Sequence, residues 1–91
     1  MKEAEIRDSA DVCRMLADST RLSIVALLAQ GQRSVGRLCR ELDLTHPLVS
    51  YHLALLRMSG LVDRKRKGKQ MFYSLNRSKL EPARVFLAKM K

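Results

Sequence analysis

Between Asp63 and Gln70, five basic side chains (Arg64, Lys65, Arg66, Lys67 and Lys69) follow one another with only Gly68 interrupting them. Unpaired charges are too costly to desolvate for such a run to be buried. The segment must therefore project into solvent, where it would neutralise the phosphates of a polyanion. Upstream lie Thr45, His46, Pro47, Ser50, Tyr51 and Arg57. They combine short polar side chains with one cation, a set able to donate to base edges and phosphates. The chemistry on offer is recognition rather than bond-making. The sequence holds no Gly-rich phosphate loop, no paired carboxylates in an apolar setting and no nucleophile–base pair, and Glu3, Glu5, Asp8 and Asp11 read as an exposed helical face. No enzyme is expected.

The charge is placed on one side of the chain. The 91 residues carry a net +9. Residues 1–45 hold seven basic and seven acidic side chains, whereas residues 46–91 hold eleven basic ones against Asp63 and Glu81. A one-sided excess makes a local field that attracts a polyanion, with nucleic acid the leading partner and an anionic membrane surface the second. Nothing spans a membrane, since no run of about 18 apolar residues exists. The N-terminus reads as an acidic amphipathic helix rather than a signal peptide, and two cysteines are too few for a stapled secreted scaffold. A cytoplasmic protein of one domain, residues 1–91, is expected.

The elements that must position these residues follow from periodicity and punctuation. Residues 5–17 predict a helix through Ile6, Ala10, Cys13, Leu16 and Ala17. The Asp18-Ser19-Thr20 cluster offers N-caps for a second helix, 21–29. Ser34 caps a short helix, 35–42, and after a three-residue break Thr45 caps a longer one that runs to Ser59, with Gly60 as its C′ residue. Pro47 is tolerated in that helix's first turn. Residues 61–66 and 70–75 then read as two strands around Lys67-Gly68-Lys69, and Ser78 caps a last helix, 79–89, with Pro82 in its first turn. The expected fold is mainly α with a small β-hairpin, a winged helix-turn-helix of order α-α-α-α-β-β-α. Residues 34–59 would form the helix-turn-helix and 61–75 the wing.

At about 100° per residue, Leu48, Val49, His52, Leu53, Leu55 and Leu56 cover the core arc of the fourth helix. His46, Pro47, Ser50, Tyr51, Ala54 and Arg57 cover the opposite arc. Ala54 would allow close approach to a major groove. The predicted DNA-contacting set is Thr45, His46, Pro47, Ser50, Tyr51 and Arg57 from this helix, with Arg66, Lys67, Lys69 and Gln70 from the wing.

At these residues the chain resembles the ArsR/SmtB family of winged-helix transcriptional repressors. The matching segments are Leu16-Ala17-Asp18-Ser19-Thr20-Arg21-Leu22, Leu38-Cys39-Arg40-Glu41-Leu42-Asp43-Leu44, Val49-Ser50-Tyr51-His52-Leu53, Ser59-Gly60-Leu61-Val62 and Phe72-Tyr73-Ser74-Leu75. The resemblance implies a homodimer on an inverted-repeat operator in double-stranded DNA, released by an inducer whose identity the sequence does not give. It also implies that the first and last helices (5–17 and 79–90) form the dimer interface, through Ile6, Cys13, Leu80, Ala83, Phe86, Leu87 and Met90. The heptad-like spacing of Leu80, Ala83, Leu87 and Met90 is compatible with that role and equally with packing inside one chain.

The metal sites of relatives have no counterpart. Ser34, Val35 and Gly36 stand where arsenic and cadmium sensors of this type carry Cys-x-Cys, and residues 77–91 contain neither Asp nor His. His46 and His52 lie on opposite sides of one helix, His52 among leucines as a structural residue. No metal and no cofactor are expected. Cys13 and Cys39 both lie on apolar arcs, so core packing is the first reading for each. A redox- or arsenite-responsive thiol pair is an alternative, and a non-specific, nucleoid-type nucleic-acid binder is another.

Overall fold

The computed structural model describes residues 2–90. Helix α1, Glu3–Leu16, begins two residues earlier than periodicity suggests and buries a different stripe from the expected one. Ser9 and Val12 face inward, with Met15 and Leu16 packed beside them, while Ile6, Ala10, Cys13 and Ala17 stay exposed. The reading of Cys13 as a core residue is therefore corrected. Cys39 is half-buried and does pack against the core.

Helix α2, Ser19–Leu28, is capped by Asp18, whose Oδ1 accepts from the backbone N–H groups of Thr20 at 2.9 Å and Arg21 at 3.0 Å. Two of the four orphan N-terminal donors are satisfied by one carboxylate oxygen. The chain then forms β1, Arg33–Ser34, which the sequence did not announce because two residues carry no periodicity.

Helix α3, Val35–Leu42, is capped by the Ser34 hydroxyl, which accepts from Arg37 N at 3.2 Å. Its C-terminus turns through Asp43, a left-handed residue at φ 55°. Asp is one of the few side chains that tolerates this region. Helix α4, His46–Met58, follows at once with Thr45 as its cap, and ends as Gly60 takes φ 85°. Along α4, Val49, His52, Leu53 and Leu56 are buried, but Leu48, placed on the core arc by wheel geometry, is 39% exposed.

Strands β2, Val62–Lys67, and β3, Gln70–Leu75, pair antiparallel from Val62↔Leu75 out to Lys67↔Gln70. The turn is thus Gly68-Lys69, with Gly68 at φ 63°, and Lys67 belongs to the strand. β1 pairs with β3 through Arg33↔Tyr73 and Ser34↔Phe72, so the hairpin is part of a three-stranded sheet of order β1-β3-β2.

Helix α5, Arg77–Ala88, starts before Ser78. The residue at its N-cap is Asn76, whose side chain donates to the Gly60 carbonyl at 3.0 Å and accepts from Ser78 Oγ at 2.6 Å rather than capping the helix. Pro82 therefore sits inside the helix, beyond its first turn.

The core gathers Ile24, Leu38, Val49, Leu53, Leu56 and Leu61, all at 0% exposure, from α2, α3, α4 and the start of the wing. Each such side chain contributes about 1.5–3 kcal/mol by leaving water. α5 packs on α1, burying Ala83 beside Val12 within the single chain.

Candidate nucleic-acid interface

Helix α4 is held from beneath by a buried polar contact. His52 is 7% exposed, and its Nδ1 lies 3.3 Å from Arg21 Nη1 and 4.0 Å from Asp18 Oδ1. Arg21 in turn donates through Nε to the Met15 carbonyl at 2.7 Å. The N-terminus of α2, the end of α1 and the middle of α4 are thereby tied together. The backbone N–H of Arg21, above all, holds the Asp18 carboxyl below the usual range, with the Thr20 N–H and the Arg21 guanidinium acting the same way. His52 is a structural side chain, as its place among leucines implied.

The opposite face of α4 is open. His46, Pro47, Tyr51, Ala54 and Arg57 are exposed, and Ser50 is half-buried. Tyr51 is 59% exposed, its ring edge-on to His52 at 5.1 Å. His46 Nδ1 and Ser50 Oγ lie 3.2 Å apart, one helical turn from each other. Thr45 Oγ1 accepts from Leu48 N at 3.4 Å, so the Thr45 hydroxyl serves the cap.

A cleft of about 560 Å³ opens between this face, α3 and the wing. His46 and Ser50 form one wall, Lys69, Gln70 and Arg64 another, and Arg37 and Arg40 of α3 a third. Four of the ten predicted DNA-contacting residues (His46, Ser50, Lys69 and Gln70) thus share one concave surface. Thr45, Pro47, Tyr51 and Arg57 lie on the exposed helix outside it, as does Arg66 on the wing. Lys67 is directed over the Phe72 ring, 5.4 Å from its centroid.

Arg37, Arg40 and Arg64 were absent from the predicted set. The signal for the first two was present: Val35, Leu38, Cys39 and Leu42 form the apolar stripe of α3, which leaves Arg37 and Arg40 facing outward one tight turn before the reading helix. Arg64 stands opposite Tyr73, a pairing that needed the register.

Of the predicted dimer residues, Ile6, Cys13, Leu87 and Met90 are exposed, with Leu87 at 51% and Met90 at 66%. Leu80 and Phe86 are half-buried and Ala83 is buried within the chain. Among the described residues no three His, Cys, Asp or Glu side chains converge on a possible metal position, and no helix is long and apolar enough to cross a membrane.

The pattern of the bacterial regulatory protein, arsR family, matches residues 18–64. The chain is 40% identical over 77 residues to the biofilm growth-associated repressor of Agrobacterium fabrum, covering 85% of this chain and 66% of that protein. It is 48% identical over 64 residues to the arsenical resistance operon repressor of Escherichia coli, covering 69% of this chain and 55% of that protein. The crystal structure of the transcriptional repressor BigR from Xylella fastidiosa superposes with a TM-score of 0.81 at 32% identity, over 94% of this chain and 86% of that one. The chain belongs to the ArsR family of bacterial regulatory proteins, whose members with a winged helix-turn-helix fold are DNA-binding transcriptional regulators.

Proposed function

We propose that this chain acts as a homodimeric repressor that reads an inverted-repeat operator in double-stranded DNA. The observation that carries this reading is the cleft in which His46 and Ser50 of α4 face Arg64, Lys69 and Gln70 of the wing. A duplex laid along it would take α4 in its major groove, with His46, Ser50 and the neighbouring Thr45, Pro47 and Tyr51 at the base edges. Arg57, Arg66, Lys67, Lys69 and Gln70 would hold the adjoining backbone. The single domain divides as residues 34–59 for recognition, 61–75 for the wing, and the first and last helices for pairing.

The twofold partner is a second copy of the chain. Exposed Ile6 and Cys13 on α1, with Leu87 on α5 and Met90 just beyond its end, leave apolar surface for it, and half-buried Leu80 and Phe86 add area beside them. Sedimentation should give a dimer, and an Ile6→Asp, Leu87→Asp variant a monomer with far weaker operator binding.

Selection from a random duplex pool, followed by competition, tests sequence reading. The selected site should bind at least about 10³-fold tighter than random DNA at physiological salt. Equal competition by random DNA would leave a non-specific binder instead.

A further inference from the structure

Glu41 is an acidic residue beside a cleft built for a polyanion. Its Oε1 accepts from Arg33 Nε at 3.0 Å and forms an ion pair with Arg37, 2.8 Å from its Nε. Arg33 is spoken for: its side chain is 7% exposed, and its Nη1 donates to the carbonyls of Gly31 at 2.7 Å and Gln32 at 3.2 Å. Arg33 and Glu41 together form a neutral, anchored pair at the junction of β1 and α3. Arg37 is different. It is 53% exposed, lines the cleft and is held through Nε. That leaves its two Nη groups, with four N–H donors, free of the carboxylate.

We propose that Arg37 is a DNA-backbone contact and that Glu41, fixed by buried Arg33, is its positioning residue. The interface then extends from the reading helix and wing onto α3, with Arg40 beside Arg37 on the same wall of the cleft. An arginine already held in place loses less rotamer freedom when it meets a phosphate, and its planar fork matches the phosphate oxygens. This inference rests on the DNA-binding reading.

Simple electrostatics and positioning predict opposite signs. Glu41→Gln removes a negative charge near DNA, and with it the ion pair to Arg37, while keeping a neutral oxygen that can still accept from Arg33. If Glu41 acts through charge alone, the variant binds DNA more tightly. If it positions Arg37, the variant binds a selected operator several-fold more weakly.

The test is fluorescence anisotropy on a duplex selected from a random pool, across a salt series, for wild type, Arg37→Ala, Glu41→Gln and the double variant. Arg37→Lys, which leaves the Arg33–Glu41 pair untouched, guards against misfolding, and far-UV circular dichroism checks each variant. Arg37→Ala should reduce the slope of log K against log salt by about 1.8 per dimer, one phosphate per protomer. Glu41→Gln should weaken binding in the wild-type background and have no such effect in the Arg37→Ala background.

An unchanged slope in Arg37→Ala, or tighter binding by Glu41→Gln in both backgrounds, would overturn the inference and leave operator binding standing. Failure of the wild type to select any site would overturn both.

Discussion

Replacing Lys69 by alanine offers a direct measure of how the cleft engages DNA. Lys69 closes the two-residue turn of the wing and lines the same cleft as His46 and Ser50. Beyond the Arg33–Glu41 pair, four cations line this surface: Arg37, Arg40, Arg64 and Lys69. With two copies bound, these four alone would neutralise eight phosphates and contribute about −7 to the slope of log K against log salt, to which Arg57, Arg66 and Lys67 outside the cleft would add. Between 50 and 200 mM salt, the cleft contacts by themselves would then cost about 2 × 10⁴-fold in affinity. Lys69→Ala removes one contact per protomer, so the slope should become shallower by about 1.8 and the same salt change should cost about 10-fold less. Anisotropy titrations on one selected duplex at four or five salt concentrations provide both slopes. Arg7→Ala is the control: it removes the same charge from an exposed pair with Glu3 on α1. If both variants change the slope equally, the protein's overall field drives binding and the cleft has no special part.

Leu53→Ala should cost about 2–5 kcal/mol in urea unfolding, because Leu53 is fully buried on the inner face of α4; a loss below about 1 kcal/mol would contradict the core described. Asp18 provides a pH signature. Its native carboxyl is held below the usual 3.8, so its stabilising effect is present above that value and is lost as pH falls through the lowered one. Asp18→Asn keeps a cap but cannot titrate, so the wild type should lose more melting temperature than the variant on acidification; parallel curves would contradict the linkage. In the monomeric Ile6→Asp, Leu87→Asp variant, followed by mass spectrometry, Cys13 should alkylate well before Cys39, since within one chain Cys13 is exposed and Cys39 packs on the core. Equal rates would refute that difference.

Much of this arrangement was readable from residue order. Ser34, Thr45 and Gly60 act where cap and turn chemistry put them, and the basic run is the wing. The failures share a cause: they depend on what one element meets across space. Wheel geometry on α1 finds the Ile6, Ala10, Cys13, Ala17 stripe because it is the more apolar, yet the chain buries the Ser9 and Val12 side against α5. Ser78 has the chemistry of a cap, but Asn76 precedes the helix because its amide is anchored on Gly60. Arg37 and Arg40 drew no reading from the sequence, and only the fold, with its sheet completed by a two-residue strand, brings them into one cleft with Arg64 and Lys69 of the wing.

The third strand has a further consequence. β1 supports β3 only at Phe72 and Tyr73. Beyond that point the pairs Arg66↔Met71 and Lys67↔Gln70 form a bare two-stranded ribbon, and Gly68 at its tip has no neighbour to brace it. Such a ribbon is marginal in water by itself. Its outermost amides should exchange with solvent rapidly, and those near Phe72 slowly. A duplex seated in the cleft would still the tip, so part of the gain from its charges goes into ordering it, and the free end can conform to grooves of differing width before it settles.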